Sequence, residues 1–225
     1  MTANEAGAVE GPTAGCSVVT DSDLPSRDNR HDVTAGSIIS IGPLFSLVNT
    51  DYEAVVYDLD GTLVRLDVDW DAVARDVDEV LRARDVDTAG RSLWEMLEQS
   101  DETGHRDAVE AAIAEHERTG AHQSQRLALA DELPLDVPVG VCSLNCEAAC
   151  RIALETHEID DHVETVVGRD SLSAYKPDPT PLQAILDEFG VDPATALFVG
   201  DSESDRTAAR RASMDFQWVR ERQSR

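Results

Sequence analysis

The sequence predicts an α/β fold, Rossmann-like in outline: a parallel sheet covered on both faces by helices, with a small all-helical subdomain inserted after the first strand. Five apolar runs of strand length, at 54–58, 139–143, 163–167, 196–200 and 216–219, alternate with helical patterns. Near-continuous apolar strands of this kind belong to parallel sheets buried on both sides. Between Val64 and Val137 the periodicity is helical, with no strand pattern. Asp58, Ser143 and Asp201 fall at the ends of three of the runs. Ligands of open parallel sheets bind beyond the carboxyl ends of the strands.

Residues 1–48 are rich in Gly, Ala, Ser, Thr and Asp without a sustained period, and are expected to form a disordered extension. The first strand opens the body of the fold. Helices are then expected at 70–84, 89–99 and 106–118, with breaks at 85–88 and 100–104, giving a cap over 67–123. Trp94, beside Leu93 and Leu97, is expected to pack inside that cap. A further helix at 124–132 should return the chain to the core, which comprises 49–66 and 124–225. Pro138 stands just ahead of the second run, where a strand tolerates it. Helices at 146–156, 180–189 and 205–212 complete the alternation.

The formal charge is −26, from 45 acidic and 19 basic residues. Such an excess repels nucleic-acid backbones and anionic membranes, which excludes both as main partners. The acids are dispersed along the chain and all basic residues but one are arginine, a pattern that suits a salt-rich cytoplasm. Cys142, Cys146 and Cys150 follow C-x3-C-x3-C, which matches neither the usual zinc nor the common iron–sulfur spacings, so packing is the expected role. The first 30 residues show no secretory signal, and the apolar run 38–48 is too short to cross a bilayer. A cytoplasmic location is expected; the oligomeric state is not legible.

The single lysine, Lys176, sits in Tyr-Lys-Pro-Asp-Pro. A chain that otherwise uses arginine keeps one compact, flexible ammonium there, for which the planar guanidinium is no equivalent. Upstream, Asp58-Leu59-Asp60-Gly61-Thr62 delivers two carboxylates into a glycine turn. Paired carboxylates repel unless a cation intervenes or one takes a proton. Magnesium, which takes one or two carboxylates with phosphate and water, is the expected cation. Asp201 adds a carboxylate at another strand end, and Asp205 follows one helical turn later. Together these residues point to aspartate-based phosphoryl transfer.

Four motifs in order carry a resemblance: Asp58-x-Asp60-Gly61-Thr62, Ser143 after its strand, Lys176-Pro177-x-Pro179, and Gly200-Asp201-x-x-x-Asp205. Over about residues 52–220 the chain resembles the phosphatase branch of the haloacid dehalogenase (HAD) superfamily. The resemblance implies Asp58 as nucleophile forming an aspartyl-phosphate, Asp60 as general acid and base, and Lys176 as electrostatic stabiliser. It implies Ser143 and the amides of Leu144 and Asn145 as holders of the phosphoryl oxygens around the Gly61 turn. Asp58, the Asp60 carbonyl and Asp201 would ligate Mg2+, with Asp205 assisting. The helical insertion and the run Gly168-Arg169-Asp170-Ser171 resemble phosphoglycolate phosphatases, so the implied partner is a small phosphorylated metabolite. Arg65 departs from the family pattern and is expected to be a solvated surface residue. A β-phosphoglucomutase-like phosphotransferase and a non-catalytic receiver-like phosphoacceptor module are the alternatives.

At molar salt the Debye length falls to about 3 Å, which screens self-repulsion of the acidic surface. The melting temperature should therefore rise between low and molar KCl. An unchanged melting temperature would contradict the salt-adapted reading.

Overall fold

The computed structural model describes residues 51–223; the expected extension at 1–48 and Cys16 lie outside them. In chain order the regular elements are β1 (Ala54–Tyr57), β2 (Val64–Arg65), α1 (Trp70–Arg82), α2 (Leu93–Thr103), α3 (Arg106–His122), β3 (Gln125–Arg126), β4 (Val139–Cys142), α4 (Glu147–Thr156), β5 (Thr165–Val167), α5 (Thr180–Phe189), β6 (Ala196–Gly200), α6 (Glu203–Ala212), β7 (Asp215–Trp218) and α7 (Val219–Arg222). Five strands form one sheet in the order β5-β4-β1-β6-β7, and each neighbouring pair is parallel.

The central strand explains why its sequence is apolar at every position. Alternate residues of a strand point to opposite faces. Ala54 and Val56 pack with Phe198 and with Leu182 and Ile185 of α5 and Ala208 of α6. Val55 and Tyr57 pack on the other face with Val141 and with Ala149 and Leu154 of α4. Fully burying such an aliphatic side chain contributes about 1.5–3 kcal/mol. With both faces covered, a polar residue has no place on β1 until the strand ends at Asp58.

The three inserted helices have their own core. Val73, Val77 and Leu81 recur every four residues on α1 and meet Met96 and Leu97 of α2 and Val109 and Ile113 of α3. Asp69 caps α1 by accepting from the amides of Asp71 and Ala72. The second helix departs from expectation at both ends, running 93–103 rather than 89–99. Its start is set by a capping box between Ser92 and Glu95, and its end by Gly104 in the left-handed conformation. Ser100, expected to open a break, stays helical and buried, with its Oγ donating to the Leu97 carbonyl at 2.6 Å.

The helix expected at 124–132 is not formed. Residues 125–126 instead pair antiparallel with 64–65, and a short 3-10 turn follows at Ala128–Glu132. Pairing with the outgoing strand overrides local helical preference, and the Leu127 amide reinforces it by donating to the Leu63 carbonyl at 3.0 Å. The chain thus leaves and re-enters the sheet side by side, through β2 and β3. Cys142 ends β4 and Cys146 and Cys150 lie at the start of α4, all three buried and free. No helix of the described residues is long and apolar enough to cross a membrane.

A buried ion cluster ties α3 to the loops that follow β4 and β5. Arg169 is fully buried; its Nη1 donates to Glu117 Oε1 and to the Leu144 carbonyl, both at 2.6 Å. Glu117, equally buried, also accepts from the Cys146 amide at 2.9 Å and from Asn145 Nδ2 at 3.3 Å. Glu110, one heptad earlier, takes the other side of the guanidinium at 2.8 Å. Burial works to raise the Glu110 carboxyl, but Arg169 and Arg106 outweigh it and hold the group below the ordinary glutamate value.

Removing one partner of a buried pair leaves an uncompensated charge and costs about 3–5 kcal/mol. Glu117→Ala should lie near the low end, about 3 kcal/mol, because Glu110 still faces Arg169. Because the Glu110 pKa is lowered on folding, its contribution is present above the unfolded glutamate value and lost as pH falls through the folded one. Urea unfolding of wild type, Glu117→Ala and Glu110→Gln, repeated from neutral to acid pH, checks both. The Glu110→Gln curve should lose less stability on acidification than wild type.

Candidate active site

The residues singled out in the sequence converge at the carboxyl edge of the sheet. Asp58 follows β1, Ser143 follows β4, Asp201 follows β6, and Lys176 enters from the loop between β5 and α5. Lys176 Nζ donates to Asp58 Oδ1 at 2.7 Å and to Asp205 Oδ1 at 2.6 Å, although Asp58 and Lys176 are 118 residues apart. All three side chains are buried. The Thr62 hydroxyl donates to Asp58 Oδ2 at 3.3 Å.

Local geometry explains each placement. Gly61 has φ +86° and leaves room for Asp201; a β-carbon there would lie 2.2 Å from Asp201 Oδ2. Only glycine meets both demands. Asp205 Oδ2 accepts from the Ser202 amide at 3.0 Å and its hydroxyl at 2.6 Å, completing the capping box of α6. The same carboxylate therefore starts a helix and holds Lys176. Gly200 is tight against it: a β-carbon would stand 2.6 Å from Asp205 Oδ2. Asp60 turns away from Asp58, and its Oδ1 accepts from the Leu66 amide at 2.9 Å.

Ser143 and Asn145 close a small turn. Ser143 Oγ donates to Asn145 Oδ1 at 3.0 Å and accepts from the Asn145 amide at 3.1 Å. Of the two amides expected to face a phosphoryl group, that of Asn145 is thus already engaged. Leu144 lines the cavity, and its carbonyl is held by Arg169.

The electrostatics are those of a site short of positive charge. Burial pushes the Asp58 carboxyl up to about 7, with Lys176 opposing and Asp205 adding to the rise. Asp60 is raised by burial against the Leu66 hydrogen bond, and Asp201 by burial and then by Asp205. Burial disfavours the Lys176 charge, yet the two carboxylates outweigh it and lift its pKa above the ordinary lysine value. Carboxylate oxygens of Asp58, Asp201 and Asp205 lie within 4.8 Å of one another. Hard oxygen donors at that spacing, with one lysine against several carboxylates, fit a divalent cation such as Mg2+.

These groups line a cavity of about 180 Å³ whose opposite wall is Trp70 and Trp94. Trp94 is therefore not in the cap core, as the sequence suggested; it is 41% exposed and points to the cavity. Its neighbour Leu97 fills the core instead. Arg65 is exposed, as expected, and lines a second cavity, beside Gly61, that shares Asp201 with the first. Sequence reasoning missed Glu117 and its clamp on the Asn145 turn. The available signal was a pair of glutamates seven apart on the inward face of α3, in register with Val109 and Ile113.

Residues 55–219 match the sequence model of the family described as haloacid dehalogenase-like hydrolase. The chain belongs to that family. It is 42% identical over 78 residues to a phosphoglycolate phosphatase of Rhodospirillum rubrum, covering 35% of this chain and 32% of that protein. A phosphoglycolate phosphatase of Colwellia psychrerythraea is 30% identical over 128 residues, 51% of this chain and 53% of that one. The matches thus span between a third and about half of the length of these relatives. Among solved structures, a HAD-superfamily hydrolase of subfamily IA from Geobacter sulfurreducens superposes with a TM-score of 0.54 at 25% identity, over 73% of this chain and 88% of its own. A hydrolase from Pseudomonas syringae gives 0.55, also at 25% identity, over 73% and 83%. The parallel sheet with an inserted helical cap is the architecture of this HAD-like hydrolase.

Proposed function

We propose that the chain is a Mg2+-dependent phosphatase of small phosphomonoesters that works through an aspartyl-phosphate on Asp58. The supporting observation is the buried contact of Lys176 with Asp58 and Asp205 beside Asp201, at the floor of a cavity open to small molecules. A cavity of about 180 Å³ suits a small ester. Membership of a hydrolase family and partial likeness to phosphoglycolate phosphatases favour the same chemistry.

In this reading an Asp58 oxygen attacks phosphorus and the bond to the leaving oxygen breaks. Asp60 gives its proton to that oxygen; its raised pKa suits it to be protonated, and with Oδ1 held by Leu66 the proton sits on Oδ2. Water then attacks phosphorus, Asp60 takes a proton from it, and the bond to Asp58 breaks to release phosphate. Lys176 and the Leu144 amide stabilise the phosphoryl oxygens, and the Ser143 hydroxyl joins them by turning its proton from Asn145 Oδ1 to the phosphoryl group. Asp58, the Asp60 carbonyl and Asp201 would hold Mg2+, with Asp205 behind them; when bound, the ion neutralises charge on the phosphoryl group. The receiver-like alternative has no helical cap, and the mutase alternative differs only in the acceptor.

Asp58→Asn should reduce turnover of p-nitrophenyl phosphate to background with an unchanged circular dichroism spectrum. Chelation by EDTA should abolish wild-type activity, and added Mg2+ should restore it. Near wild-type turnover by Asp58→Asn would refute the nucleophile assignment.

A further inference from the structure

Among the described residues, three large hydrophobic side chains are exposed, and two of them, Trp70 at 36% and Trp94 at 41%, stand at the mouth of the same cavity. They come from different helices. Trp70 is the first residue of α1 and Trp94 the second of α2, so the N-terminal ends of both helices converge on this point. Their ring centroids are 6.4 Å apart and the planes are inclined at 41°, which makes an angled wall rather than a closed sandwich. The cap has an apolar core a few residues away, in Val73, Val77 and Leu97, yet neither indole is buried in it. Leaving two indoles in water forgoes the burial that normally dominates the contribution of tryptophan.

The charge of the cavity is equally selective. Its lining includes Asp58, Asp60 and Asp201, and Lys176 is the one cation among the described lining residues. That ammonium is already shared between Asp58 and Asp205. A divalent ion and the transferring phosphate would balance the remaining charge. A second anion, carried on the leaving group, would meet indole faces on this side of the site, since Arg65 lines the neighbouring cavity beyond Asp201 and not this one. The negative face of an aromatic ring attracts cations and neutral rings and repels carboxylates.

Resting on the phosphatase reading above, we infer that Trp70 and Trp94 form a specificity wall for a flat, uncharged ring on the leaving group of the phosphomonoester. The preferred substrates are then ring-bearing monophosphates whose leaving group carries no charge, and esters such as phosphoglycolate, whose leaving alcohol carries a carboxylate, are disfavoured. The volume admits the phosphoryl group and one ring.

Benzyl phosphate, ethyl phosphate and 2-phosphoglycolate test this, since all three are alkyl esters and differ chiefly in what the leaving group carries. A ring stacked on an aromatic side chain should raise kcat/KM for benzyl phosphate about tenfold over that for ethyl phosphate, which corresponds to about 1.4 kcal/mol. Phosphoglycolate should fall below both. In Trp70→Ala/Trp94→Ala the benzyl-to-ethyl ratio should collapse towards one, while Trp94→Phe keeps most of it. Benzylphosphonate should inhibit the wild type more tightly than ethylphosphonate, a readout that needs no variant. Preference for phosphoglycolate, or no preference for the benzyl over the ethyl compounds, would overturn the inference and leave the phosphatase reading standing. Hydrolysis of none of the three esters by wild type, with Asp58→Asn indistinguishable from it, would sink both.

Discussion

One buried ammonium organises the site. Lys176 contacts Asp58 and Asp205 at 2.7 and 2.6 Å, where water scarcely reaches any of the three. A lone lysine buried in protein tends to lose its charge, and a lone carboxylate tends to keep its proton. Held between the two carboxylates the ammonium keeps its charge, and the end of β1, the loop before α5 and the first turn of α6 must close around one point to achieve it. The cluster is deliberately unbalanced: two carboxylates face one lysine, and Asp201 adds a third within 4.8 Å of both. That surplus of negative charge suits a divalent ion followed by a phosphate.

The cap is subordinate to the same geometry. Its three helices bury Val73, Val77, Leu81, Met96, Leu97, Val109 and Ile113 among themselves. What seats them on the core is partly apolar, through Ala114 and Ala121 of α3, and partly polar. Glu117 and Glu110 grip Arg169, and Glu117 reaches on to the Asn145 side chain and the Cys146 amide ahead of α4. A buried pair of this sort is weak evidence for stability; a fully satisfied polar network of this kind rigidifies the elements it joins. With α3 held there, the starts of α1 and α2 bring their indoles over the carboxylates.

Much of this was legible in the chain. The strands were marked by apolar runs, because a sheet covered on both faces admits little else, and Ala196–Gly200 and Thr180–Phe189 fall where periodicity put them. Asp58, Lys176 and Asp201 were legible because charged residues at strand ends and a unique lysine resist a packing explanation. Less readable was whatever depends on partners distant in sequence. Residues 124–132 have helical preference but pair with Val64 and Arg65. Glu117 reads as a solvated helix acid until Arg169 is seen beneath it. Trp94 lies three residues before Leu97, about 60° away round the helix, and that rotation separates cavity from core. The start of α2 was misplaced because a capping box of Ser92 and Glu95 outweighs the periodicity of the residues before it.

The central claim is that Asp58, Asp201 and Lys176 act on one phosphoryl group. A crystal structure grown with Mg2+ and beryllium trifluoride, a mimic of the aspartyl-phosphate, tests it most directly. The account predicts the trifluoride on an Asp58 oxygen, Lys176 Nζ hydrogen-bonded to a fluoride, and the ion about 2.1 Å from Asp58 and Asp201 oxygens. An adduct on any other side chain, or an ion bound away from both carboxylates, would contradict it.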